Sequence, residues 1–311
     1  MKKISCIILS GSASEKLAKD LARKLGIPFV RTERTQFVNS EVRLRIETPV
    51  RGKHCVVVQS TGNSVHDTFF ELFLLVDIVK KGGARAITAV IPYLGYSRQH
   101  KKFRTGESES LEVALRTLKM LGVGRIVTVD FHNPESMRKS PVPMENVSAL
   151  PLLTKKVQSE IGPKTAVVVS PDEGGIARAK LFSAFFFGGT GRFTFVRKER
   201  HLHRAHHIVR ATLDNPTIVK GTTVVLVDDI ATSGKTLLRA TDECIKGGAL
   251  AVYAVVVHQD MRGDVLAAIS KSRIRKIFTT NTTGNRRFFS KIFSVDIAPV
   301  LANLLQKSMY P

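Results

Sequence analysis

The segment Val224-Val225-Leu226-Val227-Asp228-Asp229-Ile230-Ala231-Thr232-Ser233-Gly234-Lys235-Thr236 gathers more chemistry-bearing side chains than any other part of the chain. Its four leading apolar residues predict a buried strand, and two carboxylates follow at its end. A loop of Thr232, Ser233, Gly234 and Thr236 comes next, before a helical pattern that begins near Leu237. Such a loop offers backbone N–H groups and hydroxyls to a phosphate at a helix N-terminus. The two carboxylates can accept hydrogen bonds from the hydroxyls of a sugar. The pair of features suits a ribose 5-phosphate, with hydroxyls at the acids and phosphate in the loop. Gly234-Lys235-Thr236 also resembles the end of a P-loop, but that motif needs a glycine at the head of its loop, where Asp229 stands. The plain alternative is a strand followed by an ordinary polar turn.

Positioning these groups requires strands and helices in alternation, and the whole chain shows it. Apolar runs at Ile4–Leu9, Val56–Gln59, Ala86–Ile91 and Arg125–Asp130 alternate with helical patterns at 14–25, 65–81 and 109–121. A second series runs through Ala166–Val169, Phe193–Val196, Thr223–Val227 and Val252–Val257. This pattern predicts an α/β fold of mostly parallel sheets covered on both faces. A break near Asn146–Leu150 divides it into two doubly wound domains of similar size, 1–147 and 148–311. Polar groups end several strands: Gln59-Ser60-Thr61, Pro92 to Gln99, Asp130-Phe131-His132, Ser170-Pro171-Asp172 and Asp228-Asp229. Ligands of open parallel sheets bind at the carboxyl ends of strands, so these endings point to a site.

Composition narrows the classes. The chain has 311 residues, 43 % of them hydrophobic, enough for two ordinary cores. It has no apolar run of the ~18 residues a membrane span needs. The short apolar run near Met1 leads straight into a helical pattern and reads as a first strand rather than a signal peptide. Three cysteines, Cys6, Cys55 and Cys244, give neither a disulfide framework nor a zinc pattern, and fit a reducing cytoplasm. The net charge of +22 favours anionic partners, among them nucleotides and sugar phosphates. Nucleic acid is possible but not favoured, because Trp is absent, Tyr is scarce and the charge forms no basic tail.

In these motifs the chain resembles the ribose-phosphate pyrophosphokinases, also called phosphoribosyl pyrophosphate synthetases. The resemblance rests on Phe37 to Glu41, Pro92 to Gln99, Asp130-Phe131-His132, Ser170 to Gly175, Lys198-Glu199-Arg200 and the Asp228-Asp229 strand, in that order. Tyr96-Ser97-Arg98-Gln99-His100-Lys101-Lys102-Phe103 is most similar to the shorter archaeal-type enzymes. The resemblance implies two domains of phosphoribosyltransferase type, the first on the ATP side and the second on the ribose 5-phosphate side. It implies transfer of the β,γ-diphosphoryl group of ATP to the C1 hydroxyl of ribose 5-phosphate, with AMP leaving and Mg²⁺ as cofactor. Residue by residue, Asp228 and Asp229 match the acids on the ribose. Thr232, Ser233, Gly234, Lys235 and Thr236 match the 5-phosphate loop. His132 and Asp172 match positions at the metal and nucleotide phosphates. Lys198 and Arg200 match a catalytic basic pair on a mobile loop. Phe37, Asn39, Glu41, Arg98 and Gln99 match nucleotide contacts. The loop around Phe37 comes from a neighbouring subunit in the family, which implies a homo-oligomer with a shared adenine site.

Departures stand at Asn39-Ser40, at His100 after Arg98-Gln99, and at Lys235 in the phosphate loop. A lysine there either adds a contact to the phosphate or points to solvent. Two other readings compete: a phosphoribosyltransferase, which would need neither Arg98-Gln99 nor Lys198 and Arg200, and a non-catalytic regulatory or nucleic-acid-binding homologue, which would be expected to have lost these residues.

Overall fold

The computed structural model describes residues 5–102, 104–162, 166–201, 204–284 and 289–309, with the backbone alone for 199–201, 204–210 and 308–309. The chain divides into two compact units. The first holds residues up to Ser148 together with 282–285 and 296–311, and the second holds 149–281 and 286–295. The units divide between Ser148 and Ala149, and the second does not run uninterrupted to 311 as expected: the last helix, treated below, packs in the first unit.

In the first unit, β1 (Cys6–Ser10), α1 (Glu15–Leu25), β2 (Phe29–Val30), β3 (Glu33–Gln36), β4 (Val42–Arg45), β5 (His54–Val58), α2 (Val65–Lys81), β6 (Ala86–Ile91), α3 (Ser110–Met120), β7 (Arg125–Val129) and β8 (Met144–Val147) follow in order. Six strands form one sheet in the order β2-β1-β5-β6-β7-β8, every pairing parallel. The buried strands are almost unbroken runs of Val and Ile, as two covered faces require. Helix α1 buries Leu17, Ala18, Leu21 and Ala22 on one side. It ends because Gly26, at φ 64°, adopts the left-handed cap that a side chain disfavours. The chain steps one way from β1 through α1 to β2, and the other way from β5 through α2 to β6. Right-handed crossovers therefore place α1 and α2 on opposite faces, which is double winding. The order reverses between β1 and β5.

A buried network fills that reversal point. Glu71 on α2 accepts from Ser12 N–H (3.0 Å), Ser12 Oγ (2.6 Å) and Gln59 Nε2 (2.9 Å), and Ala13 N–H donates to Gln59 Oε1 at 3.2 Å. The Gln59 side chain lies so close to Gly11 that a Cβ there would meet its Cδ at 2.5 Å.

The second unit contains α4 (Leu150–Ile161), β9 (Ala166–Ser170), α5 (Ile176–Phe187), β10 (Phe193–His201), β11 (Arg204–Leu213), β12 (Thr223–Ala231), α6 (Lys235–Lys246), β13 (Ala251–Gln259), α7 (Gly263–Lys271), β14 (Ile274–Thr280) and β15 (Ile292–Val295). Its sheet runs β11-β10-β9-β12-β13-β14-β15, parallel apart from the antiparallel pair β10–β11. From β10 to β15 this is the order of the first sheet again, with the reversal between β9 and β12. The registers align as well: Cys6 pairs His54 at the start of one reversal pair, and Ala166 pairs Thr223 at the start of the other. By that count Ser12 stands where Asp172 does, and Gln59 and Ser60 stand where Asp228 and Asp229 do. The final helix, α8 (Ala298–Met309), packs against α1 in the first unit.

Three further expectations need correction. Strand β12 does not stop at Val227; its pairing with β13 continues through Asp228–Val256 to Ala231–Gln259, so both acids lie inside a strand. The following helix starts at Lys235 rather than near Leu237. Lys198 and Arg200 are not on a loop either: β10 extends to His201 and pairs with β11 as a hairpin. Such pairing depends on a partner strand, which a local apolar period cannot reveal.

Candidate active site

The second unit assembles its polar residues at the reversal between β9 and β12, where open parallel sheets bind ligands. Ser170 closes β9, and its hydroxyl donates to the Asp172 carbonyl at 2.6 Å. This holds the turn in which Asp172 Oδ1 accepts Gly175 N–H at 3.1 Å, just ahead of α5. On the neighbouring strand Asp229 is 4 % exposed, and its N–H donates to Asp228 Oδ1 at 2.9 Å. Burial pushes the Asp228 carboxyl well above the usual carboxylate range, and the charges of Asp229 and Asp172 push it the same way, against the pull of Arg178.

The loop that follows turns into α6 at Gly234. Its φ of 65° and a Cβ that would sit 2.8 Å from Val265 Cγ1 both require glycine. Thr232 and Thr236 are half-buried, whereas Ser233 and Lys235 are exposed. Lys235 is exposed at the first position of α6, and the loop's backbone N–H groups lie at the helix N-terminus.

Lys198 reaches back from β10 to Asp172, with Nζ 2.7 Å from Oδ2, and its side chain is only 8 % exposed. The Arg200 side chain lies outside the described residues. Arg178, in the first turn of α5, lies 3.5 Å from Asp229 Oδ1 and 4.0 Å from Asp228 Oδ1. Sequence reasoning missed this arginine because nothing local marks its partners, which stand far along the chain.

In the first unit, Phe37, Asn39 and Glu41 sit at the tip of the β3–β4 hairpin. Phe37 N–H donates to the Glu41 carbonyl at 2.8 Å, Glu41 N–H donates to Asn39 Oδ1 at 3.3 Å, and Ser40 takes a φ of 71°. Phe37 is 46 % exposed, so it is not a core residue; its ring lies 5.8 Å from the Arg43 guanidinium carbon. Glu41 also borders a cavity of ≈ 920 Å³ shared with Arg34, Asn63, His66 and Glu71. Arg98 is exposed and Gln99 half-buried after β6. His100 ties this segment to the one after β7: its Nδ1 meets the Ser97 carbonyl at 3.1 Å, and Asn133 Nδ2 meets its Nε2 at 3.0 Å. The contacts fix the tautomer, because the amide donates to Nε2 and Nδ1–H must then donate to the carbonyl. His132, next to Asn133, is exposed. Asp130 before it holds a φ of 39°, with its carboxylate accepting from Ser148 Oγ at 2.7 Å. Among the described residues no three His, Cys, Asp or Glu side chains group as a metal cage, and no helix is long and apolar enough to cross a membrane.

An acid pair followed by a glycine-turned helix N-terminus thus stands at the reversal point of a doubly wound sheet, the architecture of phosphoribosyltransferase-type domains. Residues 150–286 match the phosphoribosyl transferase domain family. Residues 6–122 match a family described as the N-terminal domain of ribose phosphate pyrophosphokinase. Ribose-phosphate pyrophosphokinase 1 of Streptococcus agalactiae serotype III is 30 % identical over 299 residues, 94 % of this chain and 91 % of its own length. The ribose-phosphate pyrophosphokinase of Bradyrhizobium diazoefficiens is 29 % identical over 96 % of this chain and 92 % of its own. Among solved structures, phosphoribosylpyrophosphate synthetase from Mycobacterium smegmatis aligns with a TM-score of 0.89 at 27 % identity, covering 98 % of both chains. The chain belongs to the ribose-phosphate pyrophosphokinase family.

Proposed function

We propose that the chain transfers the β,γ-diphosphoryl group of ATP to the C1 hydroxyl of ribose 5-phosphate. The C1 oxygen bonds to the β-phosphorus, the bond from that phosphorus to the α-phosphate bridging oxygen breaks, AMP leaves with that oxygen, and the hydroxyl proton is lost. The observation that carries this reading is the Asp228–Asp229 pair on β12 beside the Gly234 turn into α6. The acids accept from the ribose hydroxyls, while the loop from Thr232 to Thr236 receives the 5-phosphate.

Asp172, Asp228 and Asp229 suit a hard divalent cation. They are carboxylates, the oxygen ligands that Mg²⁺ takes in small number. Asp172 would hold it in the second unit. When bound, Mg²⁺ supplies charge neutralisation to the triphosphate. Lys198, with Arg200, neutralises the β-phosphate as the bond to AMP breaks. Arg98 and Gln99 bind the nucleotide. The exposed tip bearing Phe37, Asn39 and Glu41 suits an adenine in a neighbouring copy, which makes the enzyme a homo-oligomer with a shared site. Tyr96 to Phe103 supports an archaeal-type lineage, and the three thiols, all free, fit a cytoplasmic location.

The test is phosphorus NMR of a mixture of protein, ATP, Mg²⁺ and ribose 5-phosphate. Equal amounts of AMP and phosphoribosyl diphosphate are expected from wild type, with a drop of orders of magnitude for Lys198→Ala. Absence of AMP from folded, ATP-binding protein overturns the reading.

A further inference from the structure

Two adjacent carboxylates on one strand are a poor ground state. Asp229 is buried and Asp228 nearly so, and the Asp229 N–H donates to Asp228 Oδ1 at 2.9 Å, so two like charges stand close together with little water to screen them. One cation is placed against both acids. The Arg178 Nη1 atom lies 3.5 Å from Asp229 Oδ1 and 4.0 Å from Asp228 Oδ1, and the arginine side chain is 15 % exposed. These separations exceed those of a tight ion pair, so the guanidinium acts on both carboxylates through its charge rather than gripping one of them.

The position is otherwise unfavourable for a cation. Arg178 stands in the first turn of α5, at the positive end of a twelve-residue helix, where the helix dipole disfavours positive charge. The nearby Asp172 already has its own cation in Lys198. Arg178 is thus assigned to the acid pair by geometry and by charge.

We infer that Arg178 is a positioning residue for ribose recognition: it keeps Asp228 and Asp229 together as a two-carboxylate acceptor for the vicinal hydroxyls of a sugar phosphate. The inference rests on the proposed function, whose sugar site it completes. Arg178 acts through the acids and does not touch the reacting atoms.

The experiment is calorimetric titration of wild type, Arg178→Met and Arg178→Lys with ribose 5-phosphate, inorganic phosphate and ATP–Mg²⁺, with steady-state kinetics beside it. For Arg178→Met, ribose 5-phosphate binding weakens about tenfold or more, as expected when a charge-assisted acceptor is lost. Its KM for ribose 5-phosphate rises more than kcat falls. Inorganic phosphate and ATP affinities stay near wild type, and Arg178→Lys recovers most of the loss. Equal weakening for all three ligands would reveal a merely structural arginine and overturn the inference. So would unchanged ribose 5-phosphate binding in a wild type that binds it. A wild type that does not bind ribose 5-phosphate overturns the proposed function itself, and this inference with it. If Arg178→Met does not fold, the double variant Asp229→Asn/Arg178→Met relieves the charge surplus. It should then bind ribose 5-phosphate like Asp229→Asn alone, whereas a further, additive loss refutes action through the acid pair.

Discussion

Lys198 holds Asp172, and that contact would set the cost of bringing a divalent cation to the carboxylate. Asp172 Oδ1 accepts Gly175 N–H and Oδ2 accepts Lys198 Nζ, so a cation approaching Oδ2 meets an ammonium already there. The lysine side chain is 8 % exposed and that of the aspartate 34 %. A hydrogen bond to a charged group contributes about 1.5–3 kcal/mol when buried, against about 0.2–1 kcal/mol for an exposed ion pair. The half-open geometry places this one between, near 1.4 kcal/mol, which is about a tenfold change in an equilibrium constant. Lys198→Ala should therefore bind a divalent cation about tenfold more tightly than wild type when no nucleotide is present, even as it loses activity. The assay is Mn²⁺ binding followed by electron paramagnetic resonance of the free ion. Lys198→Arg, which preserves the cation, should stay near wild type, and Asp172→Asn should remove the site. Mn²⁺ affinity for Lys198→Ala equal to or below that of wild type would refute the reasoning. A divalent cation held by Asp172 would compete with the Lys198 ammonium, leaving the lysine available to the phosphates.

Asp228→Asn should stabilise the unliganded protein. Its carboxyl is raised in the folded state above the unfolded value near 3.8, so the folded form binds more protons above that pH, and stability falls as pH rises from there through the folded pKa. Relief of about 1 kcal/mol would raise Tm at neutral pH by about 2–4 °C, with little gain below pH 3.8; a lower Tm at pH 7 contradicts the account. Gly234→Ala forces a side chain into a left-handed backbone against Val265 and should cost about 1–3 kcal/mol in a denaturant titration. It should also weaken ribose 5-phosphate binding while leaving ATP binding intact, and unchanged stability would disprove the strain. Burial pushes the thiols of Cys6 and Cys55 up to about 11 and that of Cys244 to about 12. A disulfide reagent at pH 8 should accordingly modify the folded protein slowly and the unfolded protein at once; rapid labelling of the native state would be the contrary result.

What sequence reading resolved, and what it did not, follows from the range of each interaction. The acid pair, the phosphate loop and the alternation of strands and helices are local patterns, so Asp228, Asp229 and Gly234 stand out along the chain itself. Strand ends are less legible. Asp228 to Ala231 carry no continuous apolar signal, yet they pair with β13 because the neighbouring strand extends far enough to receive them. The β10–β11 hairpin is hidden for the same reason, since its polar outer half is held by a partner and not by a period. Arg178, on a helix, is not marked by the sequence because its partners lie on a strand about fifty residues further along. The return of α8 to the first unit depends on packing against α1, which no boundary signal near 148 encodes.

The repeated sheet order carries an arithmetic consequence. Two crevices of one design occur in each chain, but only the second keeps its acids. In the first, Gln59 and Ser60 stand at the positions of the pair, Ser12 at that of Asp172, and the glutamine amide is drawn in against Gly11 and anchored by Glu71. The first crevice thus presents a glutamine amide and the Glu71 carboxylate where the second presents two adjacent aspartates. A chain that carries the architecture twice but the acid pair once is therefore expected to saturate at a single equivalent of sugar phosphate.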